Sequence, residues 1–291
     1  MKGAAIFFAA PFLFAFAANR IHERDRIGFA AFYFFFLIQI LLHDLLDTCN
    51  AYGTGLLEPF SSQRFSFNTI YVADPIFTIG IFLATLFLFI YRRNRVVQRR
   101  VAGTAILISA IYLGISVFNK SIADKYLVHS LQAKNIRARS YFSTPTPFNN
   151  LLWYSVAAVD SGFYVGHISV FDDKSRPARF NFFKKDELLL DGIRNQDEVK
   201  TLKRFAAEYY TVEKWSDTLV FNVLRFGQMI GWQEPKAHFA FHYYLNPSYS
   251  NDLVVQRGRF EGWNRQTLWF MYDRIRGSVA STEEKPEVLP K

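Results

Sequence analysis

The sequence predicts an α-helical membrane region of about four spans, followed by a small α+β domain outside the membrane. Three observations predict it. The 291 residues are 51% hydrophobic and 18% aromatic, yet the mean hydropathy is only +0.04. The apolar residues must therefore be clustered, and long apolar runs do fill the first 120 or so residues. Second, the stretch YRRNRVVQRR at 91–100 places five arginines and no acid between two apolar runs. Third, beyond residue 150 the pattern shifts from continuous apolar runs to alternation. The two regions are expected to divide as 1–119 and 120–291.

The apolar runs lie at about 4–19, 27–46, 75–91 and 101–118. A spanning helix takes roughly 17–25 residues, so the last three qualify and the first is marginal. Gly80 and Gly114 fit such helices, which pack closely at small residues. Helical spans also argue against an outer-membrane barrel. The arginine-rich 91–100 loop is expected on the cytoplasmic side. The 20–26 loop, with Arg20, Arg24 and Arg26 partly offset by Glu23 and Asp25, is two crossings away and so shares that side. The 47–74 loop, whose one basic residue is Arg64, belongs on the other side. The fourth helix then delivers everything after Asn119 to the external side of the cell membrane. A cleaved signal peptide is the rival reading of 1–19, given Lys2, the apolar core and the small-residue run AFAA. It would put the arginine-rich loop outside, against the charge rule, so the helix is read as retained.

After the membrane region, residues 120–136 are expected to form an exposed helix carrying Lys120, Asp124, Lys125, His129 and Lys134. STPTPFNN, 143–150, is a proline-containing connector. Strands are expected at 151–159, 162–171 and 178–183, from alternation and aromatic or β-branched content. A helix follows over 195–209, a hairpin turns around Ser216 and Asp217, a strand covers 237–245 and a helix covers 261–276. The polar tail STEEKPEVLPK is expected to fray.

Chemistry-bearing residues gather where the second apolar run ends, in QILLHDLLDTCNAYG, 39–53. Positions four apart share a helix face, so His43 and Asp47 point the same way, with Asp44 about 100° around the axis from His43. An imidazole and a carboxylate so placed can chelate a divalent ion such as zinc. Ionisable groups on apolar helix are costly and therefore suggest function. The plainer alternative is a helix ending near Leu42, with His43 and Asp44 solvated at the interface. Cys49, the single cysteine, lacks a basic partner in sequence and is read as inert. One cysteine also rules out an intrachain disulfide and a cysteine-based zinc ribbon. The net charge of +9 suits cytoplasmic loops and lipid headgroups. No nucleic-acid motif accompanies it, so no nucleic-acid partner is expected. AYGTG matches neither a phosphate loop nor a dinucleotide fingerprint. His238 and His242 share a face of an alternating run and read as strand surface more readily than as a metal pair. His22 and His129 read as surface residues, and His167 as structural.

The stretch HDLLDTCNAYGTGLLEPFSSQRFSFNTIYVADPIFT, 43–78, resembles the bacterial membrane-bound metal-dependent hydrolase family, YdjM-like. That family's pattern is approximately H-P-L-L-D-x-x-T-x-Y-G-x-x-L-L-x-P-F, then I-x-x-x-D-P. His43 and Asp47 fall on its histidine and aspartate. Tyr52, Gly53, Leu57, Pro59 and Phe60 fit the next block, and Asp74-Pro75 the last. PTPFNNLLWYSV and LVFNVLRFGQ resemble the family's long-tailed members. The resemblance implies a metal site with His43, Asp47, Asp44 and Asp74 as ligands, His43 and Asp47 being catalytic. For Asp74 the simpler role is a helix N-cap before Pro75. Two departures stand out. Asp44 replaces the usual proline, and the family's earlier H-R-G-x-T-H-S motif is absent, which implies a chain truncated at its N-terminus. The implied activity, through a distant similarity to zinc-dependent phospholipases C and single-strand nucleases, is hydrolysis of phosphodiester or phospholipid bonds by metal-activated water. The alternative is a non-catalytic, membrane-anchored binding protein whose outer domain holds a partner or ligand.

Overall fold

The computed structural model describes residues 3–22, 27–58, 60–61, 63–91, 94–245 and 262–277, with side chains from residue 9 onward. The charged residues Glu23, Arg24, Asp25, Arg26, Arg92 and Arg93, together with Pro59 and the polar tail, lie outside the described residues. The chain divides into two compact units, Met1–Asp74 and Pro75–Lys291.

In the first unit, α1 (Gly3–Ile21) and α2 (Phe29–Asp47) pack as a helical hairpin. Phe12 meets Phe29 edge-on at 5.3 Å, and Phe14 lies 5.5 Å from Phe36. No residue of α2 is buried. Its outward Phe34, Phe35, Ile38, Leu41 and Leu42 form an apolar surface far too continuous for water. By length and composition α2 can cross a membrane. The loop after it is ordered by its own backbone. Phe67 and Thr69 donate to the carbonyls of Thr48 and Cys49, and Thr54 bridges Phe65. Gly53 has φ +66°, and a Cβ there would sit 2.4 Å from the Phe65 carbonyl oxygen. This close approach explains the glycine of the Tyr52-Gly53 pair.

The second unit opens with α3 (Pro75–Ile90) and α4 (Arg95–Ala133). Asn94 caps α4 by accepting from the Val96 and Val97 amides. Phe77 and Tyr112 bring α3 against α4 at 6.3 Å. α3 has 16 residues, about 24 Å of rise, slightly short of a bilayer's hydrocarbon core. α4 has 39 residues and is also long and apolar enough to cross.

The expected helix pair, 101–118 and a separate exposed 120–136, is corrected to one uninterrupted α4. Nothing between Val117 and Ser130 breaks a helix: no proline or glycine occurs there. What changes is the company the helix keeps. Ala123, Tyr126, Leu127, Ser130 and Leu131 recur at helical spacing and are buried. They lie against Trp153, Ala157 and Ile168, so this segment is a core helix with one wet face.

The sheets follow. β1 (Ser140–Pro145), β2 (Leu152–Val159), β3 (Gly162–Ser169) and β4 (Asn181–Lys184) form an antiparallel sheet in that order. β5 (Tyr210–Trp215), β6 (Thr218–Gln228) and β7 (Phe239–Leu245) form a second. α5 (Gln196–Phe205) covers one face of the second sheet, placing Val199 and Leu202 in a cluster with Tyr210, Val212 and Phe221. The two sheets meet through Tyr154, Val156, Phe163 and Val165 against Leu224 and Phe239. α6 (Arg265–Ile275) packs Met271 beside Leu152 and Trp232. The connector expected at 143–150 is corrected in its first half, where β1 runs to Pro145. β1 is an edge strand, and Pro145, its last residue, has no N–H to contribute.

The rest of that connector is a tight turn built on Asn149. Its Oδ1 accepts from the Leu151 and Leu152 amides at 2.9 and 2.8 Å, and its Nδ2 donates to Thr146 Oγ1 at 2.8 Å. Asn149→Ala therefore strands the two amides, and we expect a loss of about 2–3 kcal/mol of stability. Thermal unfolding of the detergent-solubilised chain checks this, and Asn149→Asp, which keeps the acceptor, should be milder.

Candidate functional site

α2 continues through Asp47, so His43, Asp44 and Asp47 are all helical; the alternative of a helix ending near Leu42 is corrected. The i,i+4 spacing does what geometry requires: His43 Nε2 lies 3.5 Å from Asp47 Oδ2. The two side chains are 76% and 45% exposed. Asp74 is buried and immediately precedes Pro75 at the start of α3. Among the described residues, no group of three or more His, Cys, Asp or Glu side chains is placed to hold a metal ion. A zinc site takes three or four protein ligands, so the His43–Asp47 pair by itself does not fit one. His238 and His242 sit 6.0 Å apart at their ring centres, with Trp215 at 4.2 and 5.2 Å from them. His242 Nδ1 lies 3.2 Å from the Phe239 carbonyl oxygen. They belong to an aromatic cluster.

A second constellation lies in the C-terminal domain, around a cavity of about 440 Å³. α4 supplies Tyr126, β3 supplies Gly166 and His167, the loop after β3 supplies Asp172, Asp173 and Arg176 through Phe180, the β6–β7 connection supplies Gly231 and Trp232, and α6 supplies Arg274. The wall is rigid for identifiable reasons. Arg274 forks onto Asp172, with Nη1 to Oδ1 at 2.5 Å and Nη2 to Oδ2 at 2.9 Å, and also donates to the His167 carbonyl. Asp172 Oδ2 in turn accepts from the Ser169 amide at 2.8 Å. Gln228 Nε2 donates to the carbonyls of Pro235 and Ala237. Gly231 is small by necessity, since a Cβ there would lie 2.5 Å from Gln228 Oε1 and 2.6 Å from His167 Cε1.

His167 is the chemically distinctive member. Burial, reinforced by the Arg274 guanidinium, lowers its pKa to about 3, so the ring is neutral at ordinary pH. The rings of Tyr154 and Trp232 stand edge-on to it at 5.5 and 6.3 Å. Among the described residues its ring nitrogens make no hydrogen bond. A neutral imidazole offers one donor and one acceptor. Arg176 and Arg179 also line the cavity and are exposed. The arrangement can hold a small polar molecule, with aromatic walls for its body and the imidazole for one polar group.

Sequence reasoning singled out none of this cavity, and read His167 as structural. The lining runs from Tyr126 to Gly277 and converges only through sheet packing. The one signal available was a histidine within an alternating strand.

No curated protein and no solved structure matches the chain. Residues 4–123 match the model of a family described as YdjM inner membrane protein. That span covers α1, α2 and α3 and runs into α4. Together with two helices long and apolar enough to cross a membrane, this likeness suggests a membrane location for a chain whose N-terminal region is similar to YdjM inner membrane proteins.

Proposed function

We propose that the chain is a membrane-anchored binding protein whose C-terminal domain holds a small polar ligand close to the membrane surface. The observation that carries this reading is the 440 Å³ cavity with the His167 imidazole in its wall, whose ring nitrogens make no hydrogen bond among the described residues. Its size falls in the range of ordinary small-molecule sites. Ligand-observed NMR with hydrogen-bond-donating heteroaromatic fragments tests it on the full chain. Binding should be seen with wild type and lost in Gly231→Val, whose side chain pushes on His167. Fragments that bind both proteins equally, or neither, would sink the reading.

In this reading all four apolar helices cross the membrane and the domain lies on the external side. Arg95, Arg99 and Arg100 at the start of α4 support that orientation, being at the end opposite the domain. In a Cys49→Ser background, Asp160→Cys at the exposed tip of the β2–β3 hairpin should react with a membrane-impermeant maleimide in intact cells. Labelling only after lysis would reverse the orientation.

Metal-dependent hydrolysis of a phosphodiester or phospholipid is the second reading. It rests on the His43–Asp47 approach at the end of α2 and on the match over 4–123. It expects metal in the purified chain that is lost in His43→Ala and Asp47→Ala. Equal metal content in all three proteins would remove it.

A further inference from the structure

We propose that α6 is an interfacial helix whose outer face docks on the anionic headgroup layer of the membrane that α4 crosses. The proposal rests on the membrane placement of α4 given above, and goes beyond it by assigning a lipid-binding surface to the C-terminal domain.

The strand register shows which end of the domain faces the membrane. Pro145 pairs Trp153 and Leu152 pairs Ser169 at one end of the first sheet. Ser140 pairs Ala158 and Val159 pairs Gly162 at the other. Asn119, the first residue after the 101–118 apolar run, donates to the Asn150 carbonyl at 3.0 Å. The Leu152–Ser169 end is therefore the membrane-proximal end.

α6 is fastened to that same end along its length. Trp263, just before the helix, packs edge-on to Phe148 at 5.5 Å. Met271 Sδ meets Asn149 Nδ2 at 4.0 Å. The Ile275 carbonyl accepts from Ser169 Oγ. The helix thus lies across the membrane-proximal end of the sheet.

Its inward face, Thr267 and Met271, is buried. Its outward face is apolar where a surface helix would normally be polar: Leu268 is 45% exposed, Trp269 56% and Tyr272 48%. Phe171, 61% exposed, extends the patch beside Gly277. Arg265 and Arg276 flank it, the latter stacked over Tyr272 at 5.6 Å, and Asp273 is the one acid on the helix. Tryptophan and tyrosine have an apolar body and a polar edge, which suits the headgroup boundary. Flanking arginines add attraction to anionic lipid. An amphipathic helix of this composition lies in the interface plane. The apolar run of α4 ends at the same end of the sheet that α6 covers, which makes the lipid surface, rather than a second protein, the occupant.

The test uses the full chain in nanodiscs containing phosphatidylglycerol, one chain per disc, in a Cys49→Ser background. An environment-sensitive dye is placed at Leu268→Cys, at Ile108→Cys in the apolar run of α4, and at Asp160→Cys at the distal hairpin. We expect lipid-borne nitroxide to quench the dyes at 268 and 108 and to leave the dye at 160 unaffected. Adding Arg265→Gln and Arg276→Gln should reduce quenching at 268 and leave it unchanged at 108. Quenching at 108 with a water-like dye at 268 would overturn the docking alone. A water-like dye at both would overturn the membrane placement itself. Protection at 268 that arises only with two chains per disc would assign the face to a second copy and overturn the proposal.

Discussion

Arg274→Ala should cost about 3–5 kcal/mol of stability, the range for stranding one member of a buried ion pair. The side chains of Arg274 and Asp172 are 15% and 8% exposed. Removing the guanidinium leaves a carboxylate with one amide partner, Ser169, and frees the His167 carbonyl. The same change unfastens α6, because Arg274 is one of the few polar ties between that helix and the β3 loop. Chemical denaturation in detergent reads the stability, and hydrogen exchange reads α6. Arg274→Lys should fall between, as it keeps the charge and loses the fork. The double change Asp172→Leu with Arg274→Met should recover much of the loss, since it removes the unpaired charge. If Arg274→Ala unfolds at the wild-type denaturant concentration, the pair is not part of the domain's framework.

The pH dependence of stability should carry a signature of His167. Its folded pKa, about 3, lies below the usual histidine value of 6.5. Below pH 6.5 the unfolded chain binds a proton that the folded chain does not. Stability is therefore fully present above pH 6.5 and falls as pH drops toward 3, by up to about 1.4 kcal/mol per pH unit. Glu187 behaves differently. Hydrogen bonds from Lys203 and Tyr210 hold its pKa at about 2, so its contribution is present above 4.5 and lost below that. The window from 6.5 to 4.5 thus separates the two. Across it, wild type should lose about 2–3 kcal/mol more than His167→Gln. Parallel curves for the two proteins would mean that the imidazole is charged, or solvated, in the fold.

Much of the architecture was legible from periodicity. Continuous apolar runs gave α1, α2 and α3 within a residue or two of their observed limits, because a helix that is apolar all round leaves an unbroken apolar run in the sequence. Aromatic and β-branched content located β2, β3, β7 and the β5–β6 hairpin at Ser216 and Asp217, although β2 and β3 are buried on both faces, between α4 and the second sheet. β1 was hidden because it is an edge strand ending in Pro145, and its residues carry turn chemistry as readily as strand chemistry. The joint in α4 was misread because hydrophobicity changes at residue 119 while helical propensity does not. The candidate ligands His43 and Asp47 were legible because one helical turn is a local fact. Asp74 was legible only as a position before proline.

The sequence by itself determined that this chain has apolar helices followed by an α+β domain, and that an imidazole and a carboxylate share a face at the end of α2. These follow from spacings of two, three or four residues, which the backbone alone translates into geometry. Only the tertiary structure decided that α4 is one helix whose second half packs in the domain core, that His167 and Arg274 line one cavity, and that α6 shows an exposed aromatic face at the Leu152–Ser169 end of the first sheet. Those relations join residues as far apart as 149 and 271, and they arise from strand register and packing, which no local spacing encodes.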